Sequence, residues 1–238
     1  MTKIQKLLEY SFKHKLAHIP SALSMYNYLE CLFEHYIDKE DIIILGKPFG
    51  AQAYYLIWKE MGWLDDIDNL SVGVKHEEID FIDYSEETIG NALGVAIGMA
   101  IAQPQKQVFV NITDATLQMG NTLEAIQFIG HHNIHNILVT IDYNGNQVTG
   151  STDEIIGVDG VESLFRDYKW NVYHSIDGND FEDCCNTLQK WDTEYHYEKK
   201  FLRPSVIYFH TTKGYGVPYM KKNPKEWHYK KLSEEHMI

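Results

Sequence analysis

A parallel α/β fold, one sheet sandwiched by helices, follows from three features of this 238-residue chain. Its short β-branched runs are mostly continuous in apolar residues instead of alternating, as in strands buried on both faces. Those runs alternate with stretches of helical periodicity, the pattern of crossover connections between parallel strands. No Pro/Gly/Ser-rich linker interrupts the alternation, so residues 1–238 read as a single domain.

The amino-terminal segment MTKIQKLLEYSFKHKL carries apolar residues at helical spacing (Ile4, Leu7, Leu8, Phe12, Leu16) and lacks the unbroken apolar core of a signal peptide. A helix is expected over residues 21–35, a strand over 41–45 (DIIIL) and a helix over 51–61. Residues 90–102 (GNALGVAIGMAIA) are helical in pattern but made almost wholly of small residues. Either another backbone or a bulky ligand approaches this helix closely, or it packs tightly on the sheet. A strand over 107–112 is followed by a helix over 122–131, and a strand over 136–142 by a helix over 161–168. The chain then predicts a strand at 170–176, a helix at 180–191 and a last strand at 204–210.

A net charge of −13 argues against a nucleic-acid or anionic-membrane surface, because phosphate binding needs clustered Lys and Arg. The one dense basic cluster, MKKNPKEWHYKK, contains a Glu and reads as a solvated tail. No stretch approaches the roughly 18 apolar residues of a membrane span. Cys31, Cys184 and Cys185 are odd in number and two are adjacent, so they describe neither a disulfide framework nor a CxxC zinc site. The expectation is a reducing, cytoplasmic setting.

The segment VFVNITDATLQMGN raises a chemical question, because a buried strand ends on a carboxylate, Asp114. In parallel sheets ligands bind beyond the carboxyl ends of strands. The next strand ends at Asp142–Tyr143–Asn144–Gly145–Asn146, and Asn144 lies thirty residues after Asp114, the length of a helix and a neighbouring strand. One carboxylate, one amide oxygen and a turn carbonyl form a sparse oxygen set that suits Mg²⁺, which completes its shell with water and phosphate. A helix starting near Gly120 would direct backbone N–H groups at an anion. Asp and Asn after strands are also ordinary cap and turn residues, so this pair alone supports either reading.

Here the sequence resembles the transketolase family. TDATLQMGNTLEAIQFIGHHNIHNILVTIDYNGNQ resembles the thiamine-diphosphate motif, Gly-Asp-Gly followed some thirty residues later by Asn. HIPSALSMYNYLECLF, DIIILGKPFGAQAYYLIWKEMGW, IDYSEETIGNALGVAIGMAIA and TTKGYGVPYMKKNPKEWHYK match further transketolase segments in the same order. The resemblance covers the amino-terminal third of a full-length transketolase and implies its thiamine-diphosphate-binding fold. The pyrimidine-binding domain, with the glutamate that activates the cofactor, has no counterpart here. The resemblance therefore implies one half of a split enzyme, with a partner chain and two copies of each.

By position it implies that Asp114, Asn144 and the main-chain carbonyl of Asn146 hold Mg²⁺, with Ala115 beside the diphosphate. Glu87, Thr88 and Ile89 would lie near the cofactor, Ile89 as the apolar contact. His18 and His228 would face substrate and diphosphate and relay protons near neutral pH, as side chains outside the core. His76 falls where the family places another substrate histidine, across a shortened loop. Phe49 replaces a cofactor-contacting histidine, Met119 replaces a glutamate associated with communication between cofactors, and Thr113–Asp114–Ala115 replaces Gly-Asp-Gly. The implied reaction is transfer of a two-carbon ketol or acyl unit to an aldehyde or ketone. The alternatives are a chain of a 2-oxoacid dehydrogenase or decarboxylase, and a non-catalytic regulatory subunit.

Overall fold

The structure, a computed structural model, describes residues 1–198 and 202–236. Its strands are β1 (Ile42–Leu45), β2 (Tyr84–Ser85), β3 (Val108–Thr113), β4 (Ile137–Tyr143), β5 (Asn171–His174) and β6 (Ser205–His210). They form one sheet in the order β2-β1-β3-β4-β6-β5, with every neighbouring pair parallel. The helices are α1 (Lys3–Lys13), α2 (Ile19–His35), α3 (Ala51–Glu60), α4 (Ala92–Ala102) and α5 (Gly120–His131), then α6 (Thr152–Ile156), α7 (Asp159–Asp167), α8 (Phe181–Asp192) and α9 (Pro218–Lys222).

The continuous apolar strands divide between two cores because successive side chains point to opposite faces. Ile43, Leu45, Phe109, Leu138 and Ile207 pack with α1, α2, α3 and α8. Ile42, Ile44, Val108, Val110, Ile137 and Val206 pack with α4, α5 and α7 on the other face. The sequence pattern missed β2, α6 and α9, which are too short to show a period. On α4, Ala92, Leu93, Ala96 and Ala100 are buried against the sheet, while Gly94 and Gly98 face open space. Among the described residues no helix is long and apolar enough to cross a membrane.

Topology decides where a ligand can sit. The chain leaves β1 through α3 on one face to reach β2, then returns through α4 on the other face to β3. The loops after β1 and β3 therefore diverge and leave a crevice at the carboxyl edge. Register aligns Thr113 with Asp142 and Tyr143 with His210, so the segments after β3, β4 and β6 emerge together.

The cysteines correct the sequence reading. Cys31 on α2 and Cys185 on α8 form a disulfide, with Cα atoms 5.8 Å apart, and only Cys184 is free. The pairing depends on how two helices pack, which residue spacing does not encode. The cysteines consequently give no support to a reducing compartment.

Candidate functional site

At the carboxyl edge the structure forms a cleft of about 420 Å³. His18, Glu87, Thr88, Ile89, Ala115, Asn146 and His228, all singled out from sequence, line it. Asp114 and Asn144 lie behind this wall, Asp114 fully buried and Asn144 nearly so. His76 does not line the cleft; its ring lies against the Ser85 hydroxyl and the Tyr84 ring. The amino terminus of α5 does not line it either, because a 3₁₀ turn (Asp114–Gln118) separates β3 from Gly120. Met119 packs instead against Gly90.

Asp114, the first residue after β3, sits inside a ring of donors. Its Oδ1 accepts from the Thr113 hydroxyl at 3.0 Å and the Ala115 N–H at 2.8 Å, and its Oδ2 from the Gly145 N–H at 2.5 Å. That last bond ties β3 to the loop carrying Asn144 and Asn146. Asn144 donates through Nδ2 to Asp142 Oδ2 at 2.8 Å, and its Oδ1 accepts from the Asn146 N–H at 3.0 Å. Burial, then the Asp142 charge, push the Asp114 carboxyl up to about 6. The nearby ammonium of Lys47 is ion-paired with Asp142 instead.

Asp142, also fully buried, behaves oppositely. Burial alone would raise its carboxyl, but Lys47 and the Thr211 and Ser24 hydroxyls outweigh burial and hold it below the usual range. Ser24 donates to Oδ2 at 2.7 Å, and Thr211 donates to Oδ1. The two carboxylates thus differ because, among the described residues, Lys47 pairs with Asp142 and not with Asp114, and two hydroxyls add to that pairing.

Sequence reasoning missed Lys47 and Lys213, both buried at the cleft wall. Lys213 donates to His228 Nδ1 at 3.1 Å and to the Asn146 carbonyl at 3.4 Å. Burial and Lys47 lower its ammonium to about 8, which leaves it charged at neutral pH. The available signal was position: Lys47 follows β1 and Lys213 follows β6 at the same edge. Glu86 was also missed. Its carboxylate accepts from the Gly90 and Asn91 N–H groups at 3.0 and 2.8 Å and so anchors the Glu87–Ile89 loop.

His18 caps α2 in the left-handed region at φ 59°, where its N–H donates to the His228 carbonyl at 3.2 Å. Its ring lies 4.8 Å from Phe49, 4.9 Å from His228 and 5.1 Å from Tyr229. Its Nδ1 is buried with no hydrogen-bond partner among the described residues. Such an orphaned atom costs stability unless a ligand satisfies it. At 7% exposure His18 is a buried residue, against the expectation from sequence.

Burial and the flanking lysines lower His18 to about 4, and burial, Lys213 and His18 lower His228 to about 3. Both rings are therefore held neutral at pH 7, away from the range in which imidazole ordinarily titrates. Because the folded values are depressed, their contribution to stability is complete above pH 6.5 and is lost as pH falls toward 4 and 3. Imidazole NMR titration is expected to show both rings neutral down to pH 5; a midpoint near 6.5 for either contradicts this burial.

Residues 82–237 match the family described as transketolase, thiamine diphosphate binding domain. The chain is 26% identical to an apulose-4-phosphate transketolase subunit from Phocaeicola vulgatus, over 94% of this chain and 85% of that one. It is 26% identical to a 6-deoxy-6-sulfo-D-fructose transketolase subunit of a Clostridium species, over 98% and 90%. Human transketolase-like protein 2 is 27% identical, but the chain spans only 32% of its length. The transketolase structure from Leishmania mexicana superposes with a TM-score of 0.81 at 18% identity, over 100% of this chain and 40% of that one. This chain belongs to the family of transketolase thiamine diphosphate binding domains.

Proposed function

We propose that the chain is the diphosphate-binding subunit of a split, transketolase-like transferase that moves a two-carbon ketol or acyl unit to an aldehyde or ketone. The observation that carries this reading is the buried Asp114 carboxylate, without an ion-paired cation among the described residues, behind a cleft edged by two buried ammonium groups. A buried charge is tolerated when it is paired or coordinates a metal. Asp114, the Asn144 side-chain oxygen and the Asn146 carbonyl are the oxygen donors Mg²⁺ prefers. Lys47 and Lys213 would offset the negative charge of a diphosphate.

Bound there, thiamine diphosphate supplies a carbanion and an electron sink. The chain's own residues position it. Glu86 anchors the Glu87–Ile89 loop, and Ala115 leaves room beside the diphosphate. His18 and His228, both neutral, offer hydrogen bonds to ligand oxygens, while Phe49 and Val148 add apolar wall. Relatives of similar length are themselves named as subunits of transketolases, which supports a separate partner bearing the pyrimidine-binding domain. Two copies of each chain is the proposed assembly.

One observation bears on the alternatives. Phe49 offers no hydrogen bond where the family has a histidine, which leaves room for 2-oxoacid donors or for a chain without turnover. The test is a screen of ketose phosphates and 2-oxoacids with this chain and its partner. Transfer of a two-carbon unit from at least one donor is expected; no transfer from any donor overturns the proposal. Phe49→His is expected to change the ratio of kcat/KM between the two donor classes by about tenfold or more, since it places a new hydrogen-bonding group beside His18 in the cleft wall, which only some donors can satisfy. An unchanged ratio removes Phe49 from donor selection.

A further inference from the structure

The Cys31–Cys185 disulfide lies at the other end of α2 from the cleft. Cys31 is ten residues beyond Ser21, about 15 Å along the helix. His35, the last residue of α2, is one turn past Cys31 and so shares its side of the helix. A ring nitrogen of His35 and the two sulfurs all lie within 4.8 Å of one another. Cys184 takes no part, because its thiol is turned inward and donates to the Gly178 carbonyl at 3.3 Å.

Two thiolates and an imidazole are a ligand set for an ion of the zinc class, with water in the fourth position. Bond lengths of about 2.3 Å to sulfur and 2.0–2.1 Å to nitrogen place tetrahedral ligand atoms about 3.5–3.8 Å apart. The His35 side chain is 54% exposed, so it can turn toward the sulfurs without disturbing the core. Disulfide sulfurs are not thiolates, so the ligand set exists only in the reduced chain.

We propose that reduction of the Cys31–Cys185 disulfide uncovers a site for a thiophilic divalent ion, held by Cys31, Cys185 and His35. Two monothiols, or one dithiol, give two electrons and two protons to the disulfide, which becomes two thiols while the reductant is oxidised to its own disulfide. Metal binding then releases those thiol protons to solvent. In either redox state α2 and α8 stay joined, by a covalent bond or through the ion. The site is independent of the thiamine reading.

The full-length chain, stripped of metal and reduced with a phosphine, is titrated with Co²⁺ alone. One equivalent is expected to produce a thiolate-to-cobalt charge-transfer band that Zn²⁺ displaces. The oxygen ligands near Asp114 cannot give such a band. Cys31 is fully buried, so the half-buried Cys185 is the better position to vary. Cys185→Ser and His35→Ala are each expected to weaken binding by about tenfold or more. The oxidised chain is expected to give no band. Absence of the band in the reduced chain, its persistence in the oxidised chain, or unchanged affinity in either variant overturns the site.

Discussion

Asp114→Ala is expected to weaken Mg²⁺-dependent binding of thiamine diphosphate by at least about tenfold, the scale seen when a metal ligand or its support is lost. The substitution removes the one charged group of the proposed ligand set and the acceptor that holds the Gly145 N–H. Asn144 and Asn146 remain, but their loop loses that bond. The folded chain itself is expected to tolerate the change, because the lost carboxylate was a buried charge pushed up to about 6. Calorimetry with and without Mg²⁺ checks this. Equal affinity in the two proteins excludes Asp114 as the ligand.

Lys47→Met is expected to destabilise the fold by about 3–5 kcal/mol at pH 7, since breaking a buried ion pair from one side leaves the other charge uncompensated. Asp142 would keep the Thr211, Ser24 and Asn144 donors but lose its cation. In the wild type its depressed carboxyl contributes stability above the usual carboxylate range, and that contribution is lost as pH falls. In the variant the folded-state value rises, so the deficit is expected to shrink as pH is lowered. Adding Asp142→Asn is expected to recover most of the loss. Denaturant midpoints at pH 5 and pH 7 measure both effects, and a deficit independent of pH contradicts the assignment of Lys47 to Asp142.

The strands at 41–45, 107–112, 136–142 and 204–210 were legible because burial on both faces leaves continuous apolar runs. Tyr84–Ser85 was not, since two residues show no period. Asp114 and Asn144 stood out because polar residues directly follow those runs, while His18, Glu87 and His228 came only through the family resemblance. Lys47 and Lys213 escaped because lysine usually marks solvent, and only the sheet register shows that both are buried at one edge. The depressed values of His18 and His228 come from burial among lysines distant in sequence. The Cys31–Cys185 bond comes from the packing of α2 on α8. All three are tertiary facts without a local pattern.

The most direct measurement is turnover of this chain, of a partner bearing the pyrimidine-binding domain, and of their mixture, with molecular mass followed by light scattering. Thiamine diphosphate and Mg²⁺ are present throughout, and the donor is a ketose phosphate or a 2-oxoacid. Neither chain alone is expected to turn over, and activity is expected to appear together with a complex of two copies of each. Turnover by the isolated chain at the full rate of the mixture would contradict this.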